Sequence, residues 1–225
     1  MSPHSSTADI DTESVTGERS QRRRRKDARP SELTAAALEL FVEKGFAGTR
    51  LDDIAARAGV SKGTLYLYFD SKEALFTAVI EEGIVPALAA AEQQFAGYQG
   101  RTSDLLRVLL LGWWQQIGST RMGGVVKLII SESHNFPEVT QYYHDHVIVR
   151  GRSLLRRALQ RGLESGEFRQ MDVDSAIDVI IAPLLMLVIW RYSFCICGHD
   201  IEPEKYLETH FDLLIQGLLD KGRVQ

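Results

Sequence analysis

The stretch from Thr49 to Lys72, TRLDDIAARAGVSKGTLYLYFDSK, constrains the fold of this chain more than any other part of it. Its first half has apolar residues at the spacing of one helical face, which are Leu51, Ile54, Ala55 and Ala58. Thr49 is predicted to cap this helix with Asp52, Gly59 ends it, and Ser61 is predicted to cap a second helix. Two compact helices around a glycine turn match the helix-turn-helix pattern, whose second helix enters the major groove of DNA. The alternative is a plain helical hairpin.

The second helix is predicted over residues 62–69, and its two faces differ in chemistry. At about 100° per residue, Leu65 and Phe69 fall together and are predicted to face the core. The opposite side carries phenols, a lysine and a leucine in place of the several charges of a solvated face. Lysine and tyrosine side chains donate to phosphates, whereas Thr64 and Leu67 are placed to contact bases. The predicted DNA-binding residues are Thr49, Lys62, Gly63, Thr64, Tyr66, Leu67, Tyr68 and Lys72.

The run GVSKGTLYLYFDSKEALF resembles the signature of the TetR family of bacterial transcriptional regulators (TetR/AcrR type), and the similarity extends over residues 31–76. The resemblance implies an all-α protein, with an N-terminal three-helix helix-turn-helix domain and a C-terminal helical ligand-binding and dimerisation domain. It also implies repression that a small molecule relieves. At Leu67 similar proteins often carry a hydrogen-bonding residue, so this chain is predicted to contact a thymine methyl there. Incidental exposure of Leu67 is the alternative.

Three regions are predicted along the chain. Residues 1–29 are polar and then basic, with seven basic and two acidic residues between Glu18 and Arg29, and are predicted to form a disordered basic arm. That arm either reaches phosphates and the minor groove or is a solvated charge run. Residues 30–76 form the predicted DNA-binding domain, and residues 77–225 the ligand-binding and dimerisation domain. The start of the chain lacks the pattern of a signal peptide.

The second half of the chain is predicted to be all-helical. A helix over 71–98, bent near Gly83 and Pro86, would join the two domains and act as the lever between them. The further segments are predicted at 102–118, 122–134, 137–166, 173–197 and 202–221. Gly118, the Asn135–Pro137 run, Gly166 and the Gly198–Asp200 run separate them.

Large amphipathic side chains within apolar runs predict a mostly apolar pocket with a few polar anchors. The predicted ligand-binding residues are Trp113, Glu132, His134, Tyr143, Met186 and Trp190, although aromatic stripes of this kind also occur as simple core. The helices 173–197 and 202–221 are predicted to pair with the same helices of a second subunit. The predicted interface residues are Ile189, Leu207, Phe211, Leu214 and Leu218, with intrachain core as the alternative.

Other classes of function lack support in the sequence. Cys195, Cys197 and His199 are two residues apart, and such positions point about 200° apart on a helix, so no metal site is predicted. No nucleophile elbow, zinc-protease or phosphate-loop motif is present, and neither an enzyme nor a cofactor is predicted. The apolar run Val179–Trp190 contains Pro183 and is too short to span a membrane.

The sequence therefore predicts a cytoplasmic homodimeric regulator, most simply a repressor, with no membrane partner. Its predicted partners are a palindromic double-stranded DNA operator, a small hydrophobic effector and a second copy of the chain. Two alternatives stay open. One is a ligand-independent DNA-binding protein that acts through a protein partner, and the other is a transcriptional activator.

Overall fold

The computed structural model describes residues 13–194 and 201–220 of the 225, with side chains from Pro30 onward. These residues form eleven α-helices and two π-helical turns, at Trp114–Gly118 and His144–Ile148. The helices are α1 Glu13–Gly48, α2 Leu51–Arg57, α3 Lys62–Tyr66, α4 Lys72–Gly83, α5 Val85–Gly97, α6 Thr102–Trp113, α7 Arg121–Glu132, α8 Pro137–Tyr143, α9 Val149–Glu164, α10 Val173–Ser193 and α11 Pro203–Leu218. The described ranges contain no β-strand, and the predicted all-α class is confirmed.

The first helix differs from its prediction. Pro30 suits the first turn of a helix, but it lies inside α1, because this helix begins at Glu13, and the backbone of residues 13–29 is helical where a disordered arm is predicted. Residues 1–12 of that arm lie outside the described residues. Gly45 has φ 77° and ψ 167°, so regular helical geometry stops at this glycine and a short turn of helix follows.

The N-terminal unit has a small core of its own that α4 completes. Phe41 and Phe46 of α1 lie against Phe76 of α4, with ring centroids 5.0 and 5.1 Å apart, respectively. Ile54 of α2 and Leu65 of α3 are fully buried in the same cluster. The three-helix unit therefore depends on α4, as expected for a core of so few residues.

The predicted joining helix is two helices. The chain bends at Ile84, between α4 and α5, and Pro86 lies in the first turn of α5, where its missing N–H has no consequence. Ile84 is fully buried, so the bend is packed into the core. The bend lies at the predicted position, and this packed joint is the covalent connection between α5 and the DNA-binding unit.

The remaining segments match their predicted ranges closely, with two changes. The first segment is α6 followed by a π-helical turn, and the third is α8, a π-helical turn and α9 in continuous order. Two stretches, Lys72–Gly97 and Val173–Ser193, are long and apolar enough to cross a membrane by length and composition alone. The first is broken at Ile84, and the second contributes buried residues to the helical core.

Candidate nucleic-acid interface and adjoining cavity

The turn between α2 and α3 has the geometry that its sequence predicts. Gly59 has φ 68°, a conformation that favours glycine, and Val60 N–H donates to the Ala55 carbonyl at 2.9 Å. The Ser61 hydroxyl oxygen accepts a hydrogen bond from Thr64 N–H at 3.1 Å, which confirms Ser61 as the N-cap of α3. The turn thus fixes the entry of α3, the helix that is predicted to read DNA.

The helix α3 is shorter than predicted, since it ends at Tyr66 and not at residue 69. The amide N–H groups of Tyr68 and Phe69 both donate to the Leu65 carbonyl, at 3.0 Å each, which closes the helix in a tight turn. Leu67 follows the helix as its C-cap and is 81% exposed. An apolar tip therefore projects from the end of the helix, at its outer surface.

The outer surface of α3 is formed by Lys62, Gly63, Thr64, Tyr66 and Leu67, and is called the reading surface below. Lys62 Nζ lies 2.8 Å from a carboxylate oxygen of Asp52, and both side chains are exposed. A Cβ atom added to Gly63 would lie 3.9 Å from the Ser61 hydroxyl oxygen, which is an ordinary contact. The fold itself does not require glycine at 63, whereas close approach of a DNA backbone would.

Two of the predicted DNA-binding residues have structural roles instead. Thr49 is 2% exposed, and its hydroxyl oxygen lies 2.7 Å from the Gly45 carbonyl oxygen and 3.1 Å from that of Leu40. The N-cap position of α2 is Arg50, without a side-chain hydrogen bond, so the predicted capping role of Thr49 is wrong. Thr49 joins the end of α1 and does not lie on the reading surface.

Lys72 is the second of these residues. Its ammonium donates to the carbonyl oxygens of Phe46 at 2.7 Å and of Thr49 at 3.1 Å. The same nitrogen lies 4.5 Å from the centre of the Phe46 ring. Lysines commonly satisfy the last carbonyls of a helix, but here the helix lies some 25 residues earlier in the chain, so no local pattern could reveal it. Lys72 therefore holds the end of α1 rather than reaching outward to phosphate.

A cavity of about 610 Å³ lies in the second domain, and its wall is formed by α5, α6, α7, α8, α9 and α10 and the two π-helical turns. Small residues on facing helices leave this space, among them Ala87, Ala91, Gly112 and Gly151. A Cβ atom added to Gly112 would meet no atom within 4 Å. The volume lies within the roughly 300–1,000 Å³ of small-molecule sites, and most of the wall is apolar.

Two of the six predicted ligand-binding residues, Trp113 and Tyr143, line this cavity. Burial raises the pKa of the Tyr143 phenol, which stays protonated as a hydrogen-bond donor. The sequence prediction missed the other polar groups of the wall, which are Gln94, Gln116, Arg152 and Asp178. They look like ordinary surface residues in sequence, because the spacing of apolar residues carries no signal for an open space between helices.

The other four predicted ligand-binding residues lie elsewhere. Glu132, at the end of α7, accepts a hydrogen bond from Asn135 Nδ2 at 2.9 Å and borders a much smaller pocket between the domains. His134 and Met186 are exposed, and Trp190 packs on Phe194 with ring centroids 5.1 Å apart. Their part in ligand binding stays a prediction, because the residues of α7 and α10 that face this cavity are others, such as Ile129 and Leu185.

Comparison with known families agrees with this architecture. Residues 33–79 match the family described as bacterial regulatory proteins, tetR family, and residues 99–193 match the Tetracyclin repressor-like, C-terminal domain. The chain belongs to the TetR family. It is accordingly a DNA-binding transcriptional regulator.

Individual relatives support membership of the TetR family. YfiR of Bacillus subtilis (strain 168), an HTH-type transcriptional regulator, is 30% identical over 149 residues, 64% of this chain and 70% of YfiR. YdeS of the same organism is 26% identical over 175 residues, 75% of this chain and 79% of YdeS. The crystal structure of FadR from Bacillus subtilis in complex with stearoyl-CoA is similar with a TM-score of 0.71 and 22% identity, over 83% of this chain and 98% of that one. This last likeness shows a shared fold.

The predicted dimer residues of this TetR-family chain divide into two groups. Leu207, Phe211 and Leu218 are buried within the single chain, so they belong to the intrachain core and their assignment to an interface is wrong. Ile189 and Leu214 are half-buried. The reason is that the regular apolar stripe of α11 packs against its own chain, on α6 and α10. The apolar residues that point outward from α10 and α11 are Val179, Met186 and Leu213, of which Val179 is 66% and Leu213 70% exposed.

The two domains are joined by a charged network at the N-terminal end of α7. Arg121 of α7 bonds Glu39 of α1, and Glu39 also accepts from Arg57 of α2 at 2.9 Å. Arg57 continues to Glu43 at 3.1 Å. The hydrogen bonds from Arg121 and Arg57 hold the pKa of Glu39 below its usual value. Beside this network Gly124 lies directly on Val42, so the helices α7 and α1 are in close contact.

Proposed function

We propose that this protein is a dimeric TetR-family repressor that leaves its operator when a hydrophobic effector fills the 610 Å³ cavity. The observation that carries the proposal is the position of the cavity. Its wall includes Gln116 and Ile117 of the first π-helical turn, and α7 begins only a few residues later. Since α7 contacts α1 through Arg121 and Gly124, the cavity and the DNA-binding domain share one helix.

The reading surface supports the DNA half of this proposal. Lys62 and Tyr66 provide donors for phosphates, and the side chain of Thr64 and the tip of Leu67 face outward for bases. Leu67 has no hydrogen-bonding group, so the base that faces it in each half-site is a thymine, whose methyl group it contacts. Binding-site selection from random duplexes with the purified protein tests this, and G·C at that position in both half-sites would contradict it.

A two-fold dimer supports the reading of two half-sites. Helix-turn-helix dimers place their recognition helices about 34–36 Å apart, one turn of DNA. The exposed apolar residues Val179, Met186 and Leu213 form the face on which a second copy is proposed to dock. Val179 and Met186 are seven residues apart and so lie on one side of α10, and exposed apolar residues that are grouped on a surface mark protein–protein contacts. The operator is accordingly proposed to be palindromic.

Release is proposed to follow from a change in the cavity wall. A ligand that spreads α5, α6 and α7 moves the start of α7 relative to α1. The network of Arg121, Glu39 and Arg57 and the packed joint at Ile84 transmit that movement to α2 and α3. The distance between the two reading surfaces of the dimer then no longer matches the half-sites. FadR from Bacillus subtilis, which was crystallised in complex with stearoyl-CoA, has a similar fold.

A pair of glycine substitutions tests the role of the cavity. Gly112→Leu directs a side chain into the open space, whereas Gly97→Leu adds the same side chain at the exposed end of α5, outside the wall. Thermal-shift titration with hydrophobic compounds is expected to give a stabilisation that Gly112→Leu removes and Gly97→Leu retains. Both variants are expected to bind the selected operator in the absence of ligand. No thermal shift in the wild type, or equal shifts in both variants, would contradict the proposal.

The repressor assignment has its own test. The genes beside the gene for this protein are the first place to look for its operator, because regulators often control their neighbours. Deletion of the gene is expected to raise the transcript level of an adjacent gene whose promoter the purified protein binds. A fall in that transcript level would make the protein an activator.

A further inference from the structure

One ion pair lies in the wall of the cavity, and its two members differ in exposure. Arg152 of α9 and Asp178 of α10 both line the cavity, and Nη1 of the arginine donates to Oδ1 of the aspartate. The Arg152 side chain is 31% exposed and the Asp178 side chain is 66% exposed. The guanidinium is therefore part of the wall, while the carboxylate faces mostly water and is free to rotate outward.

A second carboxylate lies near Arg152 but does not depend on it. Arg152 Nη2 lies 3.7 Å from Oδ1 of Asp174, and that oxygen already accepts a hydrogen bond from Arg156 Nη1 at 3.0 Å. When Arg152 turns towards a ligand, Asp174 keeps Arg156 and Asp178 is solvated. Removing one partner of an ion pair is costly when it leaves the other charge unpaired in an apolar environment. Neither Asp174 nor Asp178 is left in that state here.

The rest of the cavity wall offers no competing charge. Its other polar side chains are Gln94, Gln116 and the phenol of Tyr143, all neutral, and the remaining described lining residues are apolar or glycine. The wall thus combines a large apolar volume with one guanidinium that has an exchangeable partner. A guanidinium presents a planar pair of donors that matches a carboxylate or phosphate with two parallel hydrogen bonds.

We propose that the effector is an amphipathic anion, whose carboxylate or phosphate replaces Asp178 on Arg152 while its hydrocarbon body fills the cavity. This rests on the proposed function, in which the cavity is the effector site. A cationic ligand fits the wall less well, because it would take Asp178 from Arg152 and leave the half-buried guanidinium with only the shared Asp174. The anion instead pairs with the half-buried guanidinium of Arg152 and releases the more exposed carboxylate of Asp178 to water.

Three compounds with the same hydrocarbon chain test the choice of charge. Dodecanoate and dodecyltrimethylammonium, each below its critical micelle concentration, and dodecanol, below its solubility limit, are used to displace the neutral fluorophore Nile red from the purified protein. Dodecanoate is expected to bind most tightly. Arg152→Gln is expected to lower its affinity by about tenfold or more, the range for hydrogen bonds to charged groups, with little effect on dodecanol. Asp178→Asn is expected to raise the affinity for dodecanoate, because the competing carboxylate is gone.

Matched variants separate this site from general effects of charge. Arg156→Gln removes an arginine one turn further along α9 that bonds Asp174 but does not line the cavity, and is expected to keep the preference for dodecanoate. Arg152→Lys keeps the charge without the planar fork and is expected to retain part of the preference. Circular dichroism of each variant checks that it is folded.

The possible outcomes distinguish this proposal from the proposed function. Tightest binding of the ammonium compound, or an unchanged preference for dodecanoate in Arg152→Gln, would overturn the anion proposal and leave the cavity as the effector site. Failure of Nile red and all three compounds to bind would remove the cavity as a binding site, and the anion proposal with it.

Discussion

The ammonium of Lys72 donates a hydrogen bond to the backbone carbonyl of Phe46, with 2.7 Å between nitrogen and oxygen. A second hydrogen bond of the same group reaches the Thr49 carbonyl at 3.1 Å. Lys72 is the first residue of α4, so these bonds join the start of the helix that leads to the cavity domain to the end of α1. The residue that the sequence suggests as a phosphate contact is a structural link within the DNA-binding unit.

Lys72→Met is therefore expected to weaken the fold. The carbonyls of Phe46 and Thr49 lose a charged donor, and the free energy of unfolding is expected to fall by about 1–3 kcal/mol, measured by urea denaturation. The matched variant Lys62→Met removes an exposed ion pair and is expected to change stability by less than about 0.5 kcal/mol.

The salt dependence of DNA binding separates the two lysines further. Lys62→Met is expected to reduce the slope of log affinity against log salt concentration by about 1, as for the loss of one phosphate contact. Lys72→Met is expected to leave this slope unchanged. The reverse pattern, with a smaller slope and unchanged stability in Lys72→Met, would mean that Lys72 contacts a DNA phosphate as the sequence suggests.

Sequence alone was sufficient for several features that depend on near neighbours in the chain, although the local cap predicted at Thr49 is wrong. The turn at Gly59, the cap at Ser61 and the bend between Gly83 and Pro86 each follow from a residue's own conformational preference or from a hydrogen bond three residues away. The ranges of the later helices follow equally from their breaking residues. These local signals are enough to define an all-α chain with a helix-turn-helix unit.

Features that depend on a distant partner were not predictable. Leu207 and Phe211 lie on an apolar stripe that reads the same whether it packs on its own chain or on a second copy, and in this chain it packs inward. A mostly apolar pocket is predicted, but most of its lining residues are not, since the cavity is a space that small residues such as Gly112 leave between helices. Arg152 became a candidate only when the fold brought α9 and α10 together around that space.

Because α1 and α7 are in close contact, a single methyl group added at Gly124 is expected to lower the stability of the protein. A Cβ atom at Gly124 would lie 2.7 Å from a methyl carbon of Val42, which is closer than side chains allow. Gly124→Ala is expected to lower the free energy of unfolding by about 1–3 kcal/mol through overpacking. Gly112→Ala is the matched control, because its new Cβ meets no atom within 4 Å and alanine favours the helix by up to about 1 kcal/mol. Thermal unfolding that gave equal effects for both variants would contradict this contact.

Glu167 predicts a pH dependence of stability. Its carboxylate accepts hydrogen bonds from the backbone N–H of Thr102 at 2.7 Å and of Ser103 at 3.0 Å, at the start of α6. Burial acts to raise the pKa of Glu167, but the hydrogen bonds from Ser103 and Thr102 outweigh it and the pKa is lowered. A lowered pKa means that the stabilisation is present above the pKa of the unfolded chain and is lost as the pH falls through the folded value.

Glu167→Gln is accordingly expected to cost about 1–2 kcal/mol at neutral pH, as for loss of a helix cap. The difference from the wild type is expected to shrink in acid, where the wild-type carboxyl is protonated as well. Urea denaturation from neutral pH down to the acid limit of folding measures this difference. A difference that stayed constant over that range would mean that the charge of Glu167 has no part in holding α6.

The corrected dimer face gives a prediction that separates association from folding. Leu213→Glu places a charge on the exposed face of α11, where like charges of two copies would meet across the proposed interface. The variant is expected to be a folded monomer by sedimentation velocity at a concentration where the wild type is a dimer. It is also expected to bind the two-half-site operator more weakly than the wild type does. The free energy of unfolding of the monomeric variant is expected to stay close to that of a wild-type monomer, because Leu213 is 70% exposed.

Leu207→Ala is the control on the inner face of the same helix. Leu207 is buried within the chain, so its truncation is expected to lower the free energy of unfolding by about 2–5 kcal/mol through the cavity that it leaves. Where this variant remains folded, it is expected to dimerise as the wild type does, since the outer face is unchanged. A dimeric Leu213→Glu variant and a folded but monomeric Leu207→Ala variant would contradict this prediction. The dimer would then form through the face of α11 that carries Leu207, as the sequence pattern suggests.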